Sequence, residues 1–279
     1  MNSIKNMLMV IMFCCLWSVT QAQLTKIIEF GDTTYIYNDP DFELLQAASE
    51  GDTNKLNAFL DLGTDVDTRS WDGVTPLMFA AQNGHLRAVE ILIDAGADID
   101  LKPYNQIDAL LGATIAGHVL VADTLILNGA NVNTRSLDGV TPLMYGAAFD
   151  HLLLCDVLMF YGAGVNAADN FGNSPLHFSA FYGNVDIARM LVERGAKIDA
   201  TDGEGFTPLM CAAQNGHLQV VDYLLYAGSD INKTNRYNCD PLALALINRF
   251  YGVADFLMQN GANVHHKLNE KVNQYELAR

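Results

Sequence analysis

Glycine recurs at positions 63, 96, 129, 162, 195, 228 and 261, a constant step of 33 residues. Nineteen residues before each stands a leucine: Leu44, Leu77, Leu110, Leu143, Leu176, Leu209 and Leu242. Four before each stands a second apolar residue, Phe59 and then Leu92, Leu125, Leu158, Leu191, Leu224 and Leu257. Three registers held over seven copies mark a repeat array, in which each unit buries its apolar face only against its neighbours. Within a unit the residues spell out two helices. Thr75-Pro76-Leu77 opens the first, with threonine as cap and proline at the first helical position, where its missing N–H costs nothing. Ala80-Ala81 give that helix a thin face, and Gly84 ends it. A second helix carries Val89, Leu92 and Ile93 to Gly96.

Thr-Pro-Leu, Ala-Ala, Gly-His and Gly-Ala-Asp at these spacings resemble the ankyrin repeat, most closely in Asp72 to Asp100, Asp138 to Asn166, Asp169 to Asp199 and Gly205 to Asn232. The resemblance implies an all-α solenoid of seven 33-residue helix-turn-helix units with β-turn tips, at 37–69, 70–102, 103–135, 136–168, 169–201, 202–234 and 235–267. Three copies depart from the pattern. The first has Phe42-Glu43 for Thr-Pro, as a polar capping repeat would. The third has Gln106 for the turn glycine and Asp108-Ala109 for Thr-Pro, so a weaker turn is expected there. The seventh has Arg249-Phe250 for Gly-His, which suits a terminal cap. Residues 268–279 form a tail.

The ends follow other rules. Lys5, the apolar run Met7 to Trp17 and the small residue Ala22 read as a secretory signal peptide over 1–22. The run is too short to span a membrane. Cys14 and Cys15 suggest a lipoprotein, but Phe13 stands where a small residue is needed. Residues 23–36 form a separate N-terminal segment. Ile27, Ile28 and Phe30, Gly31-Asp32, and Tyr35 to Tyr37 read as a hairpin. It would seal the end of the stack, with a partner-binding arm as the alternative.

The chain has 16 basic and 32 acidic residues, and removal of Lys5 leaves 15 − 32 = −17. That balance opposes nucleic acid and an anionic membrane surface. No membrane insertion is expected after signal cleavage, and the mature protein reads as a monomer. The three cysteines past the signal are an odd count for a disulfide framework. Cys155 and Cys211 fall in core columns, and Cys239 falls at a turn tip that could be open to solvent. The signal implies an exported protein, periplasmic or extracellular, and the unpaired cysteines lean towards a bacterial envelope.

No motif for catalysis, phosphate or cofactor binding is present, so the reading is a non-enzyme without cofactor. His85, His118, His151 and His217 share one column and invite a metal. However, stacked helices lie ~8–10 Å apart while zinc ligands converge within ~2 Å, so no metal is assigned. The resemblance implies that these histidines link loop to helix. Asp65/Asp67 and Asp98/Asp100 recur at one turn of the repeat, which makes them scaffold.

In the ankyrin architecture the turn tips and the open side of the first helix line a concave binding face. Those positions hold Trp71, Val74, Tyr104, Ile107, Leu137, Val140, Phe149, Phe171, Phe181, Tyr182, Phe206 and Tyr237. Aromatic anchors inside a polar rim are the usual make-up of an interface hot spot. The expected function is a protein-binding module of the envelope or exterior, its protein partner unidentified. The alternative is an accessory scaffold subunit of an envelope assembly supporting a stress or redox enzyme. A rival patch is Leu127, Phe160 and Tyr226, at the ends of second helices.

Overall fold

The computed structural model describes residues 27–30, 33–36 and 40–264. The expected signal at 1–22, the hairpin turn Gly31-Asp32, Tyr37 and the tail at 268–279 lie outside them. The chain divides into two compact units, Met1–Leu137 and Asp138–Arg279. In the first, β1 (Ile27–Phe30) pairs antiparallel with β2 (Thr33–Ile36), Ile27 opposite Ile36 and Phe30 opposite Thr33. Six helices follow: α1 (Pro40–Glu50), α2 (Thr53–Asp61), α3 (Pro76–Gln82), α4 (Leu86–Asp94), α5 (Ala109–Ala116) and α6 (Val119–Leu127). The second unit holds α7 (Pro142–Ala148), α8 (Leu152–Phe160), α9 (Pro175–Tyr182), α10 (Val185–Glu193), α11 (Pro208–Gln214), α12 (Leu218–Tyr226), α13 (Pro241–Ile247) and α14 (Tyr251–Gln259). These are the paired helices of the expected solenoid, and among the described residues none is long and apolar enough to cross a membrane.

From the second copy on, each first helix starts as its cap chemistry dictates. Thr75 and Thr141 are extended, and their hydroxyls accept the N–H of Met78 and Met144 at 3.4 Å. The methionine sulfurs reach back to the threonine N–H groups at 3.5 and 3.4 Å, closing a capping box with sulfur in the acceptor role. In α9 the box uses His177, whose Nδ1 accepts the Ser174 N–H at 3.1 Å. Where threonine is missing, Asp108 and Asp240 take its place, accepting from Leu111 at 3.0 Å and Ala243 at 2.7 Å. The third copy is therefore well capped, although its turn is strained: Gln106 sits in the left-handed region at φ 62. Asp150, Asn238 and Arg249 do the same at φ 60, 59 and 63, each where sister copies have glycine. In the first copy α1 opens at Pro40, ahead of the register kept by the other first helices.

The leucine columns form the core. Leu44, Leu77 and Leu110 are buried in the first unit, and Leu143, Leu176, Leu209 and Leu242 in the second. Between neighbouring pairs the histidine column acts as a staple. Nε2 of His85 donates to Ser49 O at 2.9 Å, of His118 to Gln82 O at 3.0 Å, and of His217 to Phe181 O at 2.8 Å. Asn184 does the same work with its amide on Ala147 O at 2.8 Å. The ring lies on the glycine that ends the preceding first helix: a Cβ on Gly84 or Gly183 would meet the His118 or His217 ring at 2.6 Å. That glycine thus serves both a left-handed turn and a close approach. Successive tips are also joined through the backbone, Tyr104 N donating to Asp72 O at 3.1 Å and Arg236 N to Glu204 O at 3.0 Å.

Candidate functional site

The expected site residues fall into three groups. Trp71, Tyr104, Leu137 and Tyr237 are exposed on turn tips. Ile107, Phe149, Phe171, Phe181 and Tyr182 are half-buried. Val74, Val140 and Phe206 are buried, which corrects their placement on an open face. The turn itself explains this. Ser70 N donates to Val74 O and Asp202 N to Phe206 O, both at 3.0 Å, so the residue just before the cap closes the turn and sends its side chain inward. Cys239 shares that column and is buried as well, not open at the tip. Burial, with a smaller contribution from Asp240, pushes its thiol up to about 11.

The aromatic residues gather in the second unit where α7 and α9 end. Phe149 caps α7, its ring parallel to that of buried Tyr145 at 6.3 Å and tilted on His151 at 6.2 Å. Phe181 and Tyr182 close α9 with their rings edge to face at 5.1 Å. Phe149 and Tyr182 are equivalent positions one repeat apart, and α7 packs on α9. In other copies the Phe149/Tyr182 column carries Asn83, Ala116, Asn215 and Asn248, and the Phe181 column carries Gln82, Ile115, Ala148, Gln214 and Ile247. The repeat therefore folds without an aromatic group there, and packing alone does not demand these three.

Several titratable groups hold the scaffold together. Asp65 and Asp98 accept the N–H of Asp67 and Asp100 at 3.0 Å within their turns, and the Asp67 carboxylate takes Asp98 N at 3.1 Å. Burial raises Asp67, Asp108 and Asp169 above the ordinary carboxylate value, against hydrogen bonds that lower them. His177 is enclosed, with Nε2 on Phe206 O at 3.0 Å, and burial holds it below the ordinary imidazole value. Cys155 is pushed up to about 12 and Cys211 higher still, both mainly by burial. Among the described residues no group of three His, Cys, Asp or Glu is placed to hold a metal ion.

In each unit, apolar side chains also stand open on second helices. Phe160 and Tyr226, at the ends of α8 and α12, are 79% and 89% exposed. Leu153 on α8 is exposed too, as are Leu120 and Leu127 on α6 in the first unit. Leu120 and Leu153 were not singled out from the sequence, although α6 and α8 read VLVADTLIL and LLLCDVLMF, with a single charge each. Helices that apolar cannot bury every side at once.

A family model described as ankyrin repeats (3 copies) matches four overlapping stretches, residues 44–136, 110–202, 143–235 and 198–267. No curated protein matches the chain.

Proposed function

The chain belongs to the ankyrin-repeat family, and we propose that it is a non-catalytic protein-binding module, exported to the cell envelope or the exterior, that holds its partner on the turn tips and the ends of its first helices. Ankyrin repeats serve generally as protein-interaction modules. One observation carries the assignment of the face: Phe149, Phe181 and Tyr182 stand half-open at neighbouring helix ends in columns that are polar or small in most other copies. Large rigid aromatic groups of this kind contribute contact area at little entropic cost. Export rests on the signal-like residues 1–22, and N-terminal sequencing of the protein from its source should begin at Gln23.

The test is capture of the partner from an extract of the producing cells, by the whole protein and by Phe149→Ala/Phe181→Ala/Tyr182→Ala. Loss of three anchor residues should weaken capture by at least about a hundredfold. Stability should fall by about 3–5 kcal/mol, because the Tyr145–Phe149 and Phe181–Tyr182 ring pairs and the burial of three half-buried rings are lost together, so thermal denaturation must show that the variant is still folded. Undiminished capture by a folded triple variant would sink the assignment. A second reading, an accessory scaffold subunit of an envelope assembly supporting a stress or redox enzyme, draws on Phe160 and Tyr226, which would give the second unit another surface to hold. Loss of one of two captured proteins in Phe160→Ala/Tyr226→Ala would favour it.

A further inference from the structure

One column of the repeat changes its exposure at the last copy. Ala48, Ala81, Thr114, Ala147, Ala180 and Ala213 are each 0% exposed, while Leu246, the next of that column, is 42% exposed. Earlier first helices are covered by the first helix that follows: α5 packs on α3, α9 on α7, α11 on α9 and α13 on α11. Val264 is likewise 58% exposed, where the six earlier residues of its column are half-buried. A repeat buries its apolar face only against a neighbour. A large leucine standing open in a column that is small and closed elsewhere marks the outer flank of α13 as a face made to be covered.

We infer that residues 265–279 of the same chain are that cover, forming the tip and first helix of one more unit laid on α13. The chain leaves α14 on the path to a next tip: Asn263 N donates to Asn232 Oδ1 at 2.8 Å, as Lys197 N does to Asn166 Oδ1 at 2.8 Å. From there the sequence continues the register position by position. Asn273 stands 33 residues after the cap Asp240, and Glu276 follows it at the third helical position, the pattern of a capping box. Val272 falls in the column of Val74, Val140, Phe206 and Cys239, all buried just before a cap. Tyr275 falls in the leucine column, and Leu277 in that of Tyr145, Phe178 and Leu244. Ala278 continues the column of Ala80, Ala113, Gly146, Ser179, Ala212 and Ala245, every one small and buried. Lys271 takes the left-handed position that Gln106 and Asn238 hold without glycine, at φ 62 and 59. A polar anchor continues as well. Thr134 donates its hydroxyl to the Asp108 carboxylate 26 residues before it, and the same step from Asp240, the buried cap of α13, reaches His266. An imidazole N–H there can donate to that carboxylate. Residues 274–279 span ~9 Å of helix, most of the length of seven-residue α13.

A cysteine pair in the full chain tests this placement. In the third copy a Cβ added to Gly112 would stand 3.4 Å from the Cβ of Gln82. The equivalent pair on α13 and its cover is Ile247 and Leu277, close to the ~3.5–4.5 Å that a disulfide needs between Cβ atoms. Cysteine already stands in the Leu277 column, at Cys211. Ile247→Cys/Leu277→Cys should close a disulfide within one chain under mild oxidation, read by mass spectrometry. Ile247→Cys/Lys271→Cys, whose second position lies out on the tip, should not. A second measurement keeps the cysteines native: Val272→Asp/Leu277→Asp should lower the thermal midpoint by roughly 5 °C and speed amide exchange in α13. A 247–277 bond that fails to form, or forms no faster than the control pair, overturns the inference. So does an aspartate variant with unchanged midpoint and exchange. A 247–277 bond between two chains, with a dimer in sedimentation that Leu246→Asp dissolves, would make a second copy the occupant and overturn it too. Loss of partner capture on Leu246→Asp, with the midpoint unmoved by Val272→Asp/Leu277→Asp, would give the flank to a partner instead.

Discussion

The glycine–histidine contact makes a quantitative prediction, because two glycines of one unit share a backbone angle and differ in what surrounds them. Gly183 has φ +85 and a Cβ there would stand 2.6 Å from Nδ1 of His217. Gly195 has φ +89 and nothing within 4 Å. Gly195→Ala meets only the left-handed backbone cost of ~1–2 kcal/mol, less ~0.4–1 kcal/mol recovered from the stiffer unfolded chain. The expected loss is about 1 kcal/mol. Gly183→Ala meets the same cost and must also push the imidazole away. That breaks the 2.8 Å bond from Nε2 to Phe181 O, worth about 1 kcal/mol, and disturbs close packing by roughly another 1 kcal/mol. The expected loss is about 3 kcal/mol. Urea unfolding of both variants measures the difference. A double-mutant cycle assigns it: in a His217→Ala background, Gly183→Ala should cost no more than Gly195→Ala. Equal losses in the parent background would refute the staple.

Three further predictions concern buried groups. His177 is held neutral by burial, below its unfolded value of 6.5. Its contribution to stability is therefore full above pH 6.5 and is lost as pH falls toward the folded pKa. His177→Met, the residue type of Met144 and Met210 in that column, should flatten the stability profile between about pH 5 and 7, and an unchanged slope in urea titrations would contradict this. Cys155, Cys211 and Cys239 are buried with thiols raised well above their ordinary value of 9.0. None should react with a disulfide reagent at pH 8 until urea unfolds the chain, and rapid native labelling of any one would disprove its placement. Gly146 faces Cys155, whose Sγ would lie 2.8 Å from an added Cβ. Gly146→Ala should cost about 1–3 kcal/mol by overpacking, and Cys155→Ala in the same chain should recover part of it.

The parts of the fold that depend on local chemistry could be read in the chain. Glycine at a left-handed turn, threonine before proline and leucine at a fixed interval each carry their own cause. That is why the leucine columns, and the first-helix starts from the second copy on, fall where expected. Side-chain direction at the tips was not readable. Val74 and Trp71 lie three residues apart in one turn, yet one is buried and the other bare, because the closing bond between Ser70 and Val74 decides which faces inward. Phe206 and Cys239 were misplaced for the same reason. Nor could the apolar helices α6 and α8 be split by pattern into buried and open faces. Their periodicity carries no contrast, so Leu120 and Leu153 emerged only from the packing. The aromatic cluster stands between these cases: its columns were legible from the repeat, and its half-open state came from the structure.

Site-specific photocrosslinking tests the binding face most directly, because it traps whatever partner sits there without the partner having to be identified first. A benzophenone amino acid is placed singly at positions 149, 182, 160 and 226, and the protein is illuminated in extract of the producing cells. Positions 149 and 182, at the ends of the first helices, should yield a discrete adduct, and positions 160 and 226 should not. An adduct from 160 or 226 with none from 149 or 182 would move the partner to the second helices and contradict the assignment.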